Sequence, residues 1–489
     1  MRLCAASLGR LPPAIARPRY DRAAVQTGIV HLGVGAFHRA HQAVMTEAVL
    51  ADGDPRWGIT AASLRSPATR DALAPQDGLY TLERRGAEDT QSVIGSITDL
   101  LVAPENPAAL IAVMAHPHTR VVSLTVTEKA YCRAAAGGAL DEEDAGIRHD
   151  IANPHSPRTV FGFLAASLAR RRAEGLAPFT VLCCDNLPAN GQTVHRLLSR
   201  FATLQSPDLG AFIADQVACP DTMVDRIVPA TSDADRARIA ERLGLDDAWP
   251  VIAEPFSQWV IEDRFTGPRP AWEMAGATLA ADVAPFEAMK LRLLNGSHSA
   301  LAYLGCLAGH ETVADAMDDP GIAAFIPRLM QETVPTLSMP AGSDLVAYQA
   351  ALLDRFRNKA LRHRTLQIAM DGSQKLPQRL IAPMRERLAM GLGIGCHALA
   401  IAAWMRHVAL SPPDDPMAER LTRLAAEAGP NPARLGPALL GLTAIFGGIG
   451  ADPAVRDAVI NALQTLDAQG PSRSALVFCQ YSGRIPRKN

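Results

Sequence analysis

Apolar and polar residues fall in blocks along the first part of the chain. An apolar run at Gly28–Leu32 is followed by the turn Gly33-Val34-Gly35-Ala36-Phe37, a mixed segment reaching about Ala51, and a second apolar run at Trp57–Leu64. Strand, glycine turn, helix and strand in that order predict a βαβ unit. The runs Val121–Val126 and Phe179–Cys184 predict further strands, and Pro107–Ala115, Ser156–Arg172 and Gln192–Leu204 have helical pattern. Apolar strands of this kind need cover on both faces, so the expected fold class is α/β, a Rossmann-type doubly wound sheet.

The pattern changes after Pro285. Phe286–Leu304, Gly321–Thr336, Ser343–Arg355, Pro377–Met390, Gly391–Val408, Pro416–Ala428 and Pro453–Ala468 all have helical length, with Pro or Gly at most of the breaks. Proline suits the first turn of a helix. The expected organisation is therefore a dinucleotide-binding domain over residues 1–284 and a mainly helical domain over 285–489.

Composition narrows the function classes. The 489 residues carry 48 Lys plus Arg against 50 Asp plus Glu, a formal charge of −2 that offers no global field to nucleic acid or an anionic membrane. The eight cysteines are scattered and lack C-x-x-C pairs, which reads as reduced thiols in a cytoplasmic protein. The N-terminal residues contain no continuous apolar core of a secretory signal. Gly391–Val408 is apolar but holds Cys396, His397, Arg406 and His407, and reads as a buried helix rather than a membrane span. The acidic run Asp141-Glu142-Glu143-Asp144 reads as an exposed loop.

Gly33-x-Gly35 lies where a strand hands over to a helix, and glycines there allow a tight turn and close approach of the backbone to a pyrophosphate. His38 replaces the third glycine of G-x-G-x-x-G, so the motif alone fits a dinucleotide site and an ordinary strand-to-helix turn equally well. The second strand ends Ala61-Ala62-Ser63-Leu64-Arg65-Ser66, without the acidic residue that would bind adenosine ribose hydroxyls. Arg65 could meet a 2′-phosphate or simply be solvated, which leaves NAD expected and NADP open.

In Phe286–His298, read at ~100° per residue, Lys290, Glu287, His298 and Asn295 fall within an arc of about 140°. The bland alternative is a solvated polar face, but the apolar Ala300-Leu301-Ala302-Tyr303-Leu304 that follows points to burial. A buried lysine can serve as general base, and asparagine amides suit a developing alkoxide. Asn186, just past the strand Phe179–Cys184, offers a second amide, with a turn residue as the alternative. The histidine pairs His38/His41 and His116/His118 lack the Cys or carboxylate pattern of a zinc site, so no metal is expected.

Taken together, Gly33-Val34-Gly35-Ala36-Phe37-His38-Arg39-Ala40-His41, Asp77-Gly78-Leu79-Tyr80, Thr127-Glu128, Cys184-Asp185-Asn186-Leu187, Met223-Val224-Asp225-Arg226-Ile227-Val228-Pro229 and Lys290-x-x-x-x-Asn295-x-x-His298 resemble the mannitol dehydrogenase family of polyol-specific long-chain dehydrogenases. The resemblance runs from about residue 27 to beyond 380. It implies a Rossmann-type domain, a helical C-terminal domain, and metal-independent, NAD(P)-linked oxidation of a secondary alcohol in an open-chain sugar derivative. Carried over, Lys290 is the general base, Asn186 and Asn295 hold the alkoxide or carbonyl oxygen, His298 orients substrate, and Glu287 connects the site to solvent. Gly33, Gly35, Phe37, Arg65, Thr127 and Glu128 would meet the coenzyme, and Asp225 and Arg226 the substrate. A monomer fits the resemblance.

Residues 363–379 (HRTLQIAMDGSQKLPQR) resemble the fructuronate reductase, or mannonate oxidoreductase, branch. A hexuronate has a carboxylate where mannitol has a hydroxymethyl group, and Arg364, Lys375 or Arg379 could pair with it, or be ordinary surface cations. The first expectation is D-mannonate/D-fructuronate interconversion. The nearest rival is a mannitol 2-dehydrogenase or another alditol (arabinitol) dehydrogenase. A catalytically silent dinucleotide-binding sensor is more remote, because binding alone needs none of Lys290, Asn295, His298 and Asn186.

Overall fold

In a computed structural model that describes residues 1–134, 138–340 and 343–480, the first unit, Met1–Ala284, contains eleven named strands. They are β1 (Thr27–Leu32), β2 (Gly58–Ser63), β3 (Tyr80–Arg84), β4 (Thr90–Ile94), β5 (Ile97–Val102), β6 (Val121–Leu124), β7 (Thr180–Cys183), β8 (Thr222–Asp225), β9 (Val251–Ala253), β10 (Gln258–Glu262) and β11 (Thr278–Ala280). Five form a wholly parallel sheet in the order β5-β2-β1-β6-β7. The chain winds outward in both directions from β1, which is the Rossmann arrangement, and the order reverses between β1 and β6. Leu32 pairs with both Ala62 and Leu124, so three strands end together at the carboxyl edge beside that reversal.

Alternation along β1 feeds both faces. Val30 and Leu32 pack with Leu110, Phe161, Leu164 and Leu197 from the helices Pro107–Ala115, Val160–Ala173 and Asn190–Gln205. Ile29 turns the other way, toward Met45, Val49, Trp57 and Trp259. The segment read as one helix to Ala51 is two, Ala36–Ala40 and Gln42–Ala51, broken at His41 (φ −127, ψ −87). Two small sheets, β4-β3-β9 and β11-β10-β8, were not foreseen. Their strands are short and pair mainly with one another, so they carry no long apolar run. The acidic run ends in an N-cap: Asp144 accepts from Gly146 N–H at 2.8 Å.

The second unit, Pro285–Asn489, is built around the helix Gly395–Leu410, of which Ala398 to Met405 are buried. Its core is shared with the helices Gly296–Ala308, Pro320–Thr333 and Pro453–Gln480. His397 sits in this apolar helix because Nδ1 has a partner, Glu332 Oε1, at 2.7 Å. Among the described residues no single helix is long and apolar enough to cross a membrane.

Candidate active site

The turn after β1 is shaped by Gly33. Its φ is +96°, and a Cβ there would lie 2.1 Å from the Thr125 carbonyl oxygen, so a side chain is excluded by both strain and space. Gly35 has ordinary φ (−84°), is exposed, and would place a Cβ no nearer than 3.8 Å to its closest neighbour. The first glycine therefore builds the turn, and the second leaves the backbone open to an incoming group. Beneath them His31 bonds Ser123 Oγ (2.8 Å) and Thr125 Oγ1 (2.9 Å) and stacks on His38 with ring centroids 3.3 Å apart. Burial holds His31 neutral, with its pKa lowered to about 3. His38, which occupies the place of the absent third glycine, is thus a packing residue. Phe37 stacks on His41, whose Nε2 bonds the Gln258 carbonyl at 2.9 Å.

Asp185 ties the ends of β6 and β7 together. Its carboxylate accepts from Val126 N–H (2.9 Å), Thr127 N–H (3.2 Å) and the Tyr131 hydroxyl (2.6 Å). Burial pushes this carboxyl above its ordinary range, and the three donors only partly offset the shift. Thr127 is held at φ 72°, ψ 156°, which a β-branched residue adopts only under constraint. Its backbone bond to Asp185 supplies that constraint. Thr127 and Glu128 lie exposed past the end of β6, and Asn186 lies exposed past the end of β7. Neither the strain at Thr127 nor the tie made by Asp185 has a signature in hydrophobic patterning. Arg65 is exposed beyond β2, and its neighbour Ser63 stands where an acidic residue would bind a ribose.

Asp225 ends β8 and is 5% exposed. Arg226 is occupied with backbone: it donates to the Ala40 carbonyl (2.5 Å) and twice to the Glu254 carbonyl (3.1 and 2.8 Å). Burial, then the nearby Arg84, lowers its pKa to about 10.

In the second unit the stretch read as one regular helix changes character at its centre. Ala284–Met289 is α-helical, Lys290–Asn295 is a π-helix, and Gly296–Ala308 is α-helical again. In i→i+5 bonding each residue turns by less than the α-helical 100°, so five steps overshoot one turn by less than the 140° of a regular helix. Asn295 therefore lies nearer the meridian of Lys290 than uniform spacing predicts. The residues Lys-Leu-Arg-Leu-Leu-Asn favour helix in general and give no sign of the wider turn. Lys290 is 8% exposed, Asn295 and Glu287 are half-buried, and His298 is 8% exposed.

His298 packs on Phe356 (4.7 Å) and edge-on to His363 (5.3 Å). Burial, reinforced by His363, Arg355 and Arg379, holds its imidazole well below the ordinary histidine pKa. Its Nε2 is buried and has no hydrogen-bond partner among the described residues, which leaves it open to a bound polar group. Phe356 was not singled out from sequence, and His363 entered only as the first residue of the 363–379 segment.

The three candidate carboxylate partners differ sharply. Arg364 is 64% exposed with Glu311 3.9 Å away. Lys375 turns its ammonium onto the Met370 carbonyl at 2.6 Å and lies 3.8 Å from Asp371. Arg379 sits in a second π-helical stretch, Pro377–Ile381, and donates to the Asn295 carbonyl (3.4 Å) and Ser299 Oγ (3.2 Å). Burial lowers its pKa to about 10, and it makes no ion pair among the described residues. The two π stretches meet closely: a Cβ on Gly296 would lie 3.0 Å from the Arg379 carbonyl oxygen. Among the described residues no group of three or more His, Cys, Asp or Glu could hold a metal ion.

Comparison with known proteins decides what this assembly is. Residues 27–274 match the mannitol dehydrogenase Rossmann domain and residues 282–467 the mannitol dehydrogenase C-terminal domain. The chain belongs to the mannitol dehydrogenase family. Within that family it is 48% identical over 401 residues to the D-mannonate oxidoreductase of Escherichia coli, covering 80% of this chain and 82% of that protein. It is 43% identical over 448 residues to a mannitol 2-dehydrogenase of Aspergillus terreus, covering 88% of each. The structure of Pseudomonas fluorescens mannitol 2-dehydrogenase in a ternary complex with NAD and D-mannitol is 40% identical and superposes with a TM-score of 0.84 over 97% of this chain and 99% of that one. The Rossmann-type sheet and the mostly helical second unit are the fold of this oxidoreductase family.

Proposed function

We propose that the protein is an NAD-dependent oxidoreductase that interconverts D-mannonate and D-fructuronate without a metal. The observation that carries the choice of a sugar acid is Arg379: a largely buried guanidinium bonded to the backbone of Asn295, with no carboxylate among the described residues to balance it. A buried cation left unpaired is costly, and a substrate carboxylate is the partner that removes the cost. Arg364 is too exposed, and Lys375 too engaged with carbonyls, to do this as well. The 48% identity to a D-mannonate oxidoreductase points the same way.

The residues fit a nicotinamide coenzyme. Gly33 builds the turn, Gly35 leaves it open, and both stand at the reversal of strand order where such ligands bind. Phe37, Thr127 and Glu128 lie at or beside the same carboxyl edge. When bound, the coenzyme supplies the hydride acceptor or donor. Lys290 takes the hydroxyl proton as the alcohol is oxidised and returns it in reduction. Asn295 and Asn186 donate amide N–H bonds to the oxygen as charge gathers on it. His298 Nε2 bonds a substrate hydroxyl, Asp225 accepts from another, and Glu287 relays the proton toward solvent. Arg226, fully used on carbonyls, shapes the loop that carries Asp225. Eight free cysteines fit a cytoplasmic enzyme.

The test is a purified-enzyme assay of reduced-nicotinamide absorbance with NADH and NADPH, each against fructuronate, tagaturonate, fructose and xylulose. Preference for fructuronate supports the reading. Preference for fructose replaces it with a mannitol 2-dehydrogenase, and coenzyme binding without turnover on any ketose favours a sensor.

A further inference from the structure

A cavity of about 460 Å³ opens in the first unit between the helix Gln42–Ala51, the β3–β4 hairpin and the residues around Arg17. Its wall carries three arginines, Arg17, Arg84 and Arg226, and one acidic side chain, Glu47. The acid does not balance them. Glu47 Oε2 accepts from the Tyr20 hydroxyl and from Gly95 N–H, each at 2.8 Å, and its burial disfavours the charged form. Arg17 is spent on the Leu8 and Leu11 carbonyls, and Arg226 on those of Ala40 and Glu254.

Arg84 is the exception. It is partly buried, and among the described residues its one side-chain bond is a long 3.3 Å contact to Ser92 Oγ and it makes no ion pair. Carboxylates are close along the same strand. Glu83 and Arg85, which alternate to the other face, enter a network with Asp235, Arg238 and Asp89. Acids thus saturate one face of the strand and leave the cavity face positive.

We propose that this cavity is a binding site for a small anionic metabolite, whose oxyanion group, phosphate or carboxylate, pairs with the Arg84 guanidinium. Beside the arginines and Glu47, the polar side chains that line the cavity are those of His41, Ser92 and Ser257, and the volume admits a ligand larger than the oxyanion itself. Neither Lys290 nor Arg379 lines this cavity, and the proposal is independent of which ketose the enzyme reduces.

The test is thermal unfolding of the full chain against inorganic phosphate and against citrate, at ionic strength held constant with NaCl. The expected result is a saturable rise in the midpoint, about 2–4 °C at tenfold excess over Kd. It should disappear in Arg84→Gln and in Ala48→Glu, which places a carboxylate in the cavity from an exposed helix position. Arg379→Gln should keep it, and ketose turnover should be unchanged in both cavity variants. A response to phosphate alone assigns a phosphorylated ligand, and one to citrate alone a carboxylated one. No saturable response, or the same response in wild type and both cavity variants, overturns the proposal.

Discussion

Lys290 is buried and Arg379 largely so, and the proposed function gives them different work. Lys290 lies in the π-helical stretch with Asn295, so Lys290→Ala should lower kcat by at least about 10³-fold while coenzyme affinity, measured by quenching of protein fluorescence, stays within twofold. Near-normal turnover would remove its role as base. Arg379→Gln should cut kcat/KM for fructuronate by about 10²–10³-fold, the cost of leaving a buried carboxylate unpaired. The loss for fructose should be at least tenfold smaller, and equal losses would mean that Arg379 only supports Asn295. Lys290 stood out in the sequence because a lysine spaced with a carboxamide and an imidazole is unusual in an apolar helix. Sequence alone could not rank Arg364, Lys375 and Arg379, because exposure and carbonyl partners are set by the fold around them.

At the scale of elements, the two glycines of the coenzyme turn separate stability from binding. Gly33→Ala must fit a Cβ 2.1 Å from a carbonyl oxygen at φ +96°, and should destabilise the first unit by at least about 2 kcal/mol in urea unfolding. Gly35→Ala meets no clash; it should leave the unfolding midpoint alone and raise the KM for NADH. The reverse pattern would exchange the roles given to the two positions. The π-helical stretch is a one-turn departure from α geometry, and deletion of Leu291 should regularise it. Helical circular dichroism should then persist while turnover is lost, since Asn295 and His298 rotate by about 100° relative to Lys290. The long strands and helices were legible from apolar runs. The π turns and the small sheets were not, because propensity is blind to a change of hydrogen-bond register and to strands three to five residues long.

For the molecule as a whole, its buried neutral histidines set the acid limit. His31 has a folded-state pKa of about 3 against an ordinary value near 6.5, so between those values the unfolded chain binds more protons than the native one. Stability is complete above pH 6.5 and falls as pH drops, by about 2 kcal/mol from His31 alone at pH 5. His38 and His298 shift in the same direction, each first through burial. The Glu332 carboxyl, lowered on balance because bonds from His397 and Cys396 outweigh its burial, adds a further loss at lower pH. The first urea transition should therefore move to lower denaturant between pH 7 and pH 5, and an unchanged midpoint would contradict the burial of these rings. The division of the chain near Pro285 is visible in sequence as a change of period, whereas the histidine stack beneath the coenzyme turn is a product of β1, β6 and the following helix meeting in space. Glu287, Lys290, Asn295 and His298 lie within twelve consecutive residues, while the cations that could read a substrate's far end lie some seventy to eighty residues later. Under the proposed roles, exchanging the later stretch alone would change which sugar is read and leave the proton-handling residues in place.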